Sequence, residues 1–146
     1  MKIIEAINRT DSTKHNAYSQ SEKVAWLSTL DSMVKRLVID THESMETMDF
    51  TGYGQDVDPE TELLIPAPFD EAYLRWLEAQ IDYANGEYSK YNNSNDMFNT
   101  AWTAYQNWYN RNHMPKGKRI KYFEEPVPTP AYQSANSVAK ITIEEV

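Results

Sequence analysis

The chain has 146 residues, the size of one domain, and a chain of this length can bury roughly 70% of the surface that its unfolded form exposes. The absence of cysteine excludes disulfides, thiol catalysis and cysteine-ligated metal sites. A formal net charge of -8 makes specific binding of duplex DNA an unexpected function, because such affinity comes largely from neutralising phosphates. The sequence has neither a secretory-signal pattern nor an apolar run near the ~18 residues of a membrane span, so no membrane contact is expected.

A short N-terminal helix and a first long helix are predicted before residue 42. Isoleucines at positions 3, 4 and 7 predict the short helix, and residues 8–16 are predicted to form a polar loop. Ser19 and Glu22 have the spacing of a capping box, which predicts that the long helix begins there and ends near Thr41. Its apolar stripe consists of Val24, Leu27, Leu30, Val34, Leu37 and Val38. The charged residues that fall mostly outside the stripe are Glu22, Lys23, Asp31, Lys35 and Arg36.

Residues 40–71 carry ten acidic side chains and neither Lys nor Arg. Helical periodicity is lost here, and three prolines and a Gly-Tyr-Gly run interrupt any regular element. The pattern therefore predicts a long acidic loop between the first and second long helices, held to the bundle by its few apolar residues. Loops of this length are usually functional or disordered.

A second long helix is predicted from Asp70 onwards, with an apolar stripe that continues to Tyr88. Gly86 either ends this helix or lies within it where two backbones approach closely. Residues 91–94 are predicted to form a turn. Ser94 is predicted to cap the third long helix, which follows this turn and ends at Pro115. A short connection makes the two helices antiparallel neighbours.

The C-terminal part differs from the rest in composition. Residues 116–123 are basic and aromatic, alternate prolines follow at 126, 128 and 130, and the alternating β-branched residues near the end favour a short strand. We therefore divide the chain into a helical domain, residues 1–123, and an extended arm, residues 124–146. The predicted fold class is all-α: three long helices in a bundle, a short N-terminal helix, the acidic loop, and the arm with its short strand.

Two segments resemble metal sites only superficially. The segment beginning at His42 lacks the second histidine of a zinc-protease signature, since Glu46 occupies that position. The alternating acids of residues 56–62 lack the glycine that a calcium loop requires and contain Pro59. His15 and His113 belong to no recognisable catalytic arrangement, and phosphate-binding and dinucleotide motifs are missing. We expect no enzymatic activity, no metal and no cofactor.

The remaining candidates are contact residues. Aromatic rings are preferred interface anchors, and the candidates are Tyr83, Tyr88, Tyr91, Trp108 and Tyr109. The basic candidates are Arg111, Lys116, Lys118, Arg119 and Lys121. These cations could contact phosphate, or they could dock onto the acidic loop of the same copy or of a neighbouring one. Acids and bases sorted into separate segments favour head-to-tail self-association.

Several runs of the sequence resemble a known protein family. They are residues 21–31 (SEKVAWLSTLD), 63–70 (LLIPAPFD), 73–87 (YLRWLEAQIDYANGE), 91–94 (YNNS) and 110–115 (NRNHMP). Together they resemble head-to-tail connector proteins, also called head-completion adaptors, of tailed phages and prophages of Gram-positive bacteria. The resemblance covers about residues 1–123 and does not extend to the arm.

The resemblance implies a helical subunit, commonly present in twelve copies, that forms a ring below the portal at the phage neck and is assembled in the host cytoplasm. Its partners would be further copies of itself, the portal protein and the next neck or tail-completion protein, with double-stranded DNA passing through without specific binding. Both a first adaptor and a second-layer stopper fit this pattern. An adaptor or regulatory module that binds another protein through its aromatic surface, without forming a ring, is the alternative.

If the chain is a connector of this kind, two groups of residues are expected to have specific roles in the ring. The acids expected on the lumen or lower rim are Asp49, Asp56, Asp58, Glu60 and Glu62. An acidic wall would let DNA pass without gripping its phosphates. The residues expected at the subunit or portal interface are Arg111, Lys116, Lys118, Arg119, Lys121, Tyr122, Phe123, Ile141 and Ile143. The two isoleucines are expected to add a strand to a partner's sheet.

Overall fold

The computed structural model describes residues 1–43 and 48–117, and its compact unit spans Met1–Lys116. The all-α prediction is confirmed. The elements are α1 (Ile3–Thr13), α2 (Gln20–Met33), a π-helical segment (Val34–Ile39), α3 (Glu71–Ala84) and α4 (Tyr88–Asn112). The predicted arm, its strand and the domain boundary after residue 123 lie outside the described residues.

Helix α1 is longer than predicted. The polar residues after Asn8 were expected to form a loop, but the helix continues to Thr13. Thr10 points into the core and is 1% exposed, and the hydroxyl of Ser12 donates to the carbonyl of Arg9 at 2.8 Å. These polar residues are therefore compatible with the helix, because the inward-pointing Thr10 is small and the hydroxyl groups of Ser12 and Thr13 donate to carbonyls of the preceding turn.

The first long helix begins as predicted and changes pitch near its end. Ser19 and Glu22 form the capping box, with the Glu22 N–H donating to Ser19 Oγ at 3.2 Å. After Met33 the chain continues as the π-helical segment, where the Asp40 N–H donates to the Lys35 carbonyl at 2.8 Å. The wider turn shifts the phase of the side chains. Leu37, predicted to be in the buried stripe, is consequently 54% exposed.

The turn between the last two helices lies earlier than predicted. Residues 91–94 were expected to be the turn, but α4 already begins at Tyr88 and contains them. The reversal occurs at Gly86, whose φ of +75° belongs to the left-handed region that glycine adopts readily. Gly86 therefore follows the end of α3. Instead of capping α4, Ser94 Oγ donates to Asp82 Oδ2 at 2.6 Å.

Aromatic pairs hold α3 and the segment before it against α4. Three ring pairs mark the antiparallel seam, and their centroid separations are 5.3 Å for Tyr83–Tyr91, 5.0 Å for Trp76–Phe98 and 6.4 Å for Phe69–Tyr105. Helix α4 contains seven asparagines among its 25 residues, and asparagine is a weak helix former. Packing of its aromatic face must therefore supply much of its stability.

Gly86→Ala should lower the free energy of unfolding by about 1 kcal/mol, since an L side chain at this φ is strained while no neighbouring atom lies within 4 Å of the added Cβ. Gly54→Ala is the matched control, because its Cβ also meets nothing within 4 Å and its φ is not positive. Chemical denaturation measures both. Equal stability of the two variants would contradict the assigned turn.

Candidate functional site

The acidic loop is fastened to the bundle by one buried carboxylate. Asp31, on α2, is fully buried and accepts hydrogen bonds from the hydroxyls of Tyr53 and Tyr73. It also accepts from the Leu64 N–H at 3.2 Å. The Tyr73 hydroxyl in turn accepts from the Ile65 N–H at 2.7 Å. Two separate parts of the loop, around residues 53 and 64, are thus tied to the same side chain.

Neighbouring contacts reinforce this attachment. Ser28 Oγ accepts from the Tyr53 N–H at 2.9 Å, beside Gly52, where an added Cβ would lie 2.9 Å from the same oxygen. The loop also caps α1, because the N–H groups of Ile3 and Ile4 each donate at 3.0 Å to loop carbonyls at residues 61 and 59. Otherwise unpaired amides at the start of a helix are thereby satisfied.

Burial controls the ionisation of this cluster. Burial raises the pKa of Asp31, and the hydrogen bonds from Tyr53, Tyr73 and Leu64 only partly oppose that effect. Burial, together with the negative charge of Asp31, raises the pKa of both Tyr73 and Tyr53. Both phenols therefore remain protonated donors at neutral pH. The cluster has the donors and acceptor of a structural clasp, with every named polar group paired.

The acids predicted for a lumen or rim are all exposed: Asp49, Asp56, Asp58, Glu60 and Glu62. Two of them are paired within the chain. Glu60 lies 2.6 Å from Lys2 Nζ, and Glu62 lies 3.3 Å from the amino group of Met1. Among the described residues, Asp49 and Asp56 lie within 4 Å of no cationic group. The acidic surface is therefore only partly neutralised.

Only two of the predicted interface residues are described. Arg111 and Lys116 are exposed at the C-terminal end of α4 and just beyond it. Across residues 1–43 and 48–117, neither forms an ion pair with a carboxylate. The others lie outside the described residues: Lys118, Arg119, Lys121, Tyr122, Phe123, Ile141 and Ile143.

The chain beyond α4 pairs with the beginning of the acidic loop. The Glu43 N–H donates to the Met114 carbonyl at 2.7 Å, and the Lys116 N–H donates to the Thr41 carbonyl at 2.8 Å. His113 stacks on Tyr109 with a centroid separation of 3.8 Å. The segment leading to the C-terminal region thus begins from a fixed position beside the end of α4.

His42, the first residue of the segment that resembles a zinc-protease signature, is packed inside the fold. His42 is 5% exposed, its Nδ1 lies 2.7 Å from the Val38 carbonyl oxygen, and its ring meets Tyr109 edge to face at 4.9 Å. In the described ranges, no three acidic or histidine side chains converge as metal ligands. His42 is accounted for by packing and by its backbone contact.

The aromatic interface candidates divide into two groups. Trp108 and Tyr109 are partly buried and pack against the core. Tyr83 and Tyr88, by contrast, are 57% and 61% exposed beside the Gly86 turn. With Tyr91 they form a cluster, which we call the tyrosine tip, in which the ring of Tyr83 lies 5.8 Å from Tyr88 and 5.3 Å from Tyr91.

The most important residue at this site was missed by the sequence reasoning. Asp31 was placed outside the apolar stripe of the first long helix because it is charged. The spacing of Asp31 indicates a buried position. Alternating steps of three and four residues connect Val24, Leu27, Asp31, Val34 and Val38. An acid in phase with a buried stripe needs hydrogen-bond donors in the core. Two tyrosines supply them here.

The comparisons with known protein families, curated proteins and solved structures find no match to this chain. Among the described helices, none is both long and apolar enough to cross a membrane.

Asp31→Ala should lower the free energy of unfolding by about 3–5 kcal/mol, because three donors lose their buried acceptor. Tyr53→Phe, which removes one donor, should cost about 1–2 kcal/mol. Asp56→Ala, an exposed acid of the same loop, is the control and should change stability by less than about 0.5 kcal/mol. Urea denaturation, with hydrogen exchange at Tyr53 and Leu64, measures the effect. An Asp31→Ala protein as stable as the control would contradict the clasp.

The raised pKa of Asp31 predicts a pH dependence with a defined sign. Between the ordinary value of 3.8 and the raised folded-state value, the folded protein retains a proton that the unfolded chain has released. This contribution to stability is complete below the ordinary value and is lost as pH rises through the folded-state value. Lowering the pH from about 7 through this interval should stabilise the wild type relative to Asp31→Asn. The opposite slope in parallel denaturation series would refute the assignment.

Proposed function

We propose that this chain is a structural virion protein, a head-to-tail connector whose copies form a ring below the portal, extend the DNA channel and link the capsid to the tail. The observation that carries the proposal is the sorting of exposed, opposite charges into different segments of the chain. Asp49 and Asp56 are exposed on the acidic loop, and Arg111 and Lys116 are exposed at the C-terminal end of α4 and just beyond it.

These charges have no intrachain ion-pair partners among the described residues. A head-to-tail contact would bring the cations of one copy against the acids of the next. Contacts of this kind use two different patches on each subunit, and they form a ring when the rotation between subunits closes. The exposed charges therefore support assembly of copies around an axis. The resemblance of residues 1–123 to phage connectors supports the proposal that this ring is the one at the neck.

The same loop suits a DNA conduit. An acidic surface repels phosphates, so DNA can pass without being held. Such a surface must be ordered to act as a wall, and the Asp31 clasp supplies this order by fixing the loop at two points. We place the loop at the lumen or lower rim of the ring, in a virion assembled in the bacterial host.

The exposed Tyr83 and Tyr88 support a second candidate function. Clusters of exposed aromatic rings are common anchors of protein interfaces. A protein-binding adaptor or regulatory module that remains outside any ring would use the same surface. A stable complex with a cellular regulator, formed by a chain that does not assemble on a portal, would favour this alternative.

Charge reversal tests the ring. The Arg111→Glu/Lys116→Glu protein should need an about tenfold higher concentration for half-maximal assembly on the portal protein of the same genome, because favourable contacts between copies become repulsive. Arg36→Glu, which reverses an exposed cation in the π-helical segment, should assemble normally. Light scattering after size exclusion measures assembly, and circular dichroism verifies the helices. Unchanged assembly of the double variant would contradict the proposed contact.

A further inference from the structure

The turn between α3 and α4 contains the one Asn-Gly pair of the sequence, Asn85-Gly86. Both residues are exposed. Asparagine is among the chemically labile residues of proteins. A glycine after it leaves it poorly protected, because glycine has no side chain to shield its own backbone nitrogen from the neighbouring carboxamide. The sequence therefore favours spontaneous loss of the side-chain amide, called deamidation, at this turn.

Each member of this pair has a structural reason to be where it is. The left-handed φ of Gly86, +75°, favours glycine. Asn85 ends α3, and its side-chain oxygen Oδ1 accepts a hydrogen bond from the Tyr18 hydroxyl at 2.7 Å. Tyr18 lies just before α2, so this bond joins the start of α2 to the end of α3. The requirements of the turn therefore place a labile pair at an exposed position.

Deamidation of such a pair is a ring closure followed by hydrolysis. The Gly86 nitrogen attacks the side-chain carbonyl carbon of Asn85 and gives up its proton to solvent, so a new C–N bond forms. The bond from that carbon to the amide nitrogen breaks, and the nitrogen leaves as ammonia with a proton from water. Water then opens the succinimide ring at either carbonyl. Opening at one carbonyl gives aspartate, and opening at the other gives isoaspartate, whose main chain runs through the side-chain carbon.

The folded turn opposes this ring closure through its backbone. The ψ of Asn85 is -7°, so the Gly86 nitrogen is eclipsed with the Asn85 backbone nitrogen, whereas a five-membered ring needs it close to eclipsing Cβ. Rotation about this bond would break the hydrogen bond from the Gly86 N–H to the Tyr83 carbonyl, at 3.0 Å. It would also break the bond from the Glu87 N–H to the Asp82 carbonyl, at 2.9 Å. These two bonds form the Schellman pattern that often ends a helix. The reaction therefore requires the turn to open locally.

The Tyr18 hydroxyl restrains the other reacting group, the carboxamide of Asn85. By donating to Oδ1, it holds this carboxamide towards the start of α2. The hydroxyl is itself held in position, because the Tyr18 ring packs edge to face on Trp26 with a centroid separation of 5.5 Å. The carboxamide must leave this contact before it can meet the Gly86 nitrogen. The hydrogen bond thus protects the side chain, as the Schellman pattern protects the backbone.

We propose that Asn85 is a site of spontaneous deamidation, and that the turn and the Tyr18 hydroxyl set its rate. The reaction occurs when the turn opens locally, since exposed helix ends open more often than the whole fold unfolds. The product carries a negative charge at the C-terminal end of α3, where the helix dipole disfavours it. Position 85 lies between Tyr83 and Tyr88 in the chain, so the modification changes the charge of the tyrosine tip. This inference does not depend on the proposed ring.

Incubation of the full-length protein in mildly alkaline buffer tests the site. Peptide mapping by mass spectrometry measures the conversion of Asn85 to aspartate and isoaspartate, and the same chain unfolded in urea is the reference. We expect both products at Asn85 in the folded protein, formed at least about tenfold more slowly than in the unfolded chain. A folded protein that stays unmodified through prolonged incubation, or one that reacts as fast as the unfolded chain, would overturn the proposal.

Tyr18→Phe tests the protecting hydrogen bond, because it removes the hydroxyl and keeps the ring that packs on Trp26. We expect Asn85 of the folded variant to react about threefold faster than in the wild type, and at an equal rate when both are unfolded. Tyr53→Phe is the matched control, since it removes a hydroxyl that bonds to Asp31 instead of the turn, and it should leave the rate at Asn85 unchanged. An unchanged rate in Tyr18→Phe, or equal acceleration in both variants, would overturn the role of Tyr18.

Discussion

The structure depends on the carboxylate of Asp31, which is buried in the hydrophobic core, where a charged group is costly. Asp31 has no solvent contact, and it is tolerated only because two phenols and a backbone amide donate to it. Each donor belongs to the acidic loop or to the helix that follows it. A buried acid without these donors would be strongly destabilising. The burial of α2 and the position of the loop therefore stabilise each other, because the same hydrogen bonds satisfy Asp31 and hold the acidic segment in place.

The position of the charges follows from this constraint. The apolar residues Leu63 and Ile65 are buried beside the clasp, whereas the acids at alternate positions just before them are exposed: Asp56, Asp58, Glu60 and Glu62. Beside the start of the acidic loop, the pairing of Thr41 and Glu43 with residues 114–116 fixes the position of the chain just after α4. One copy thus displays exposed acids and exposed cations on different segments. In the proposed assembly, these charges would find partners on a neighbouring copy.

The sequence predicted the features that depend on local pattern. Within residues 1–43 and 48–117, the capping box at Ser19, the loss of helix after residue 40 until α3 begins, and the four helices are confirmed. The predictions were wrong at positions whose structure depends on contacts with residues that are distant in the sequence. A charge at Asp31 is compatible with the core only through tyrosines 22 and 42 positions away. The π-helical segment turns Leu37 outward. The asparagine-rich start of α4 has the composition of a turn but is helical, because its stabilising aromatic partners lie on α3.

The central claim is that copies of this chain act together around an axis, with the clasped acidic loop facing the passage. Cryo-electron microscopy of the full-length protein assembled on its portal tests this most directly. The account predicts a closed ring in which Asp49 and Asp56 line the lumen or its lower rim and Arg111 contacts the adjacent copy. A ring with the acidic loop on its outer wall, or a portal that remains bare at saturating protein, would contradict it.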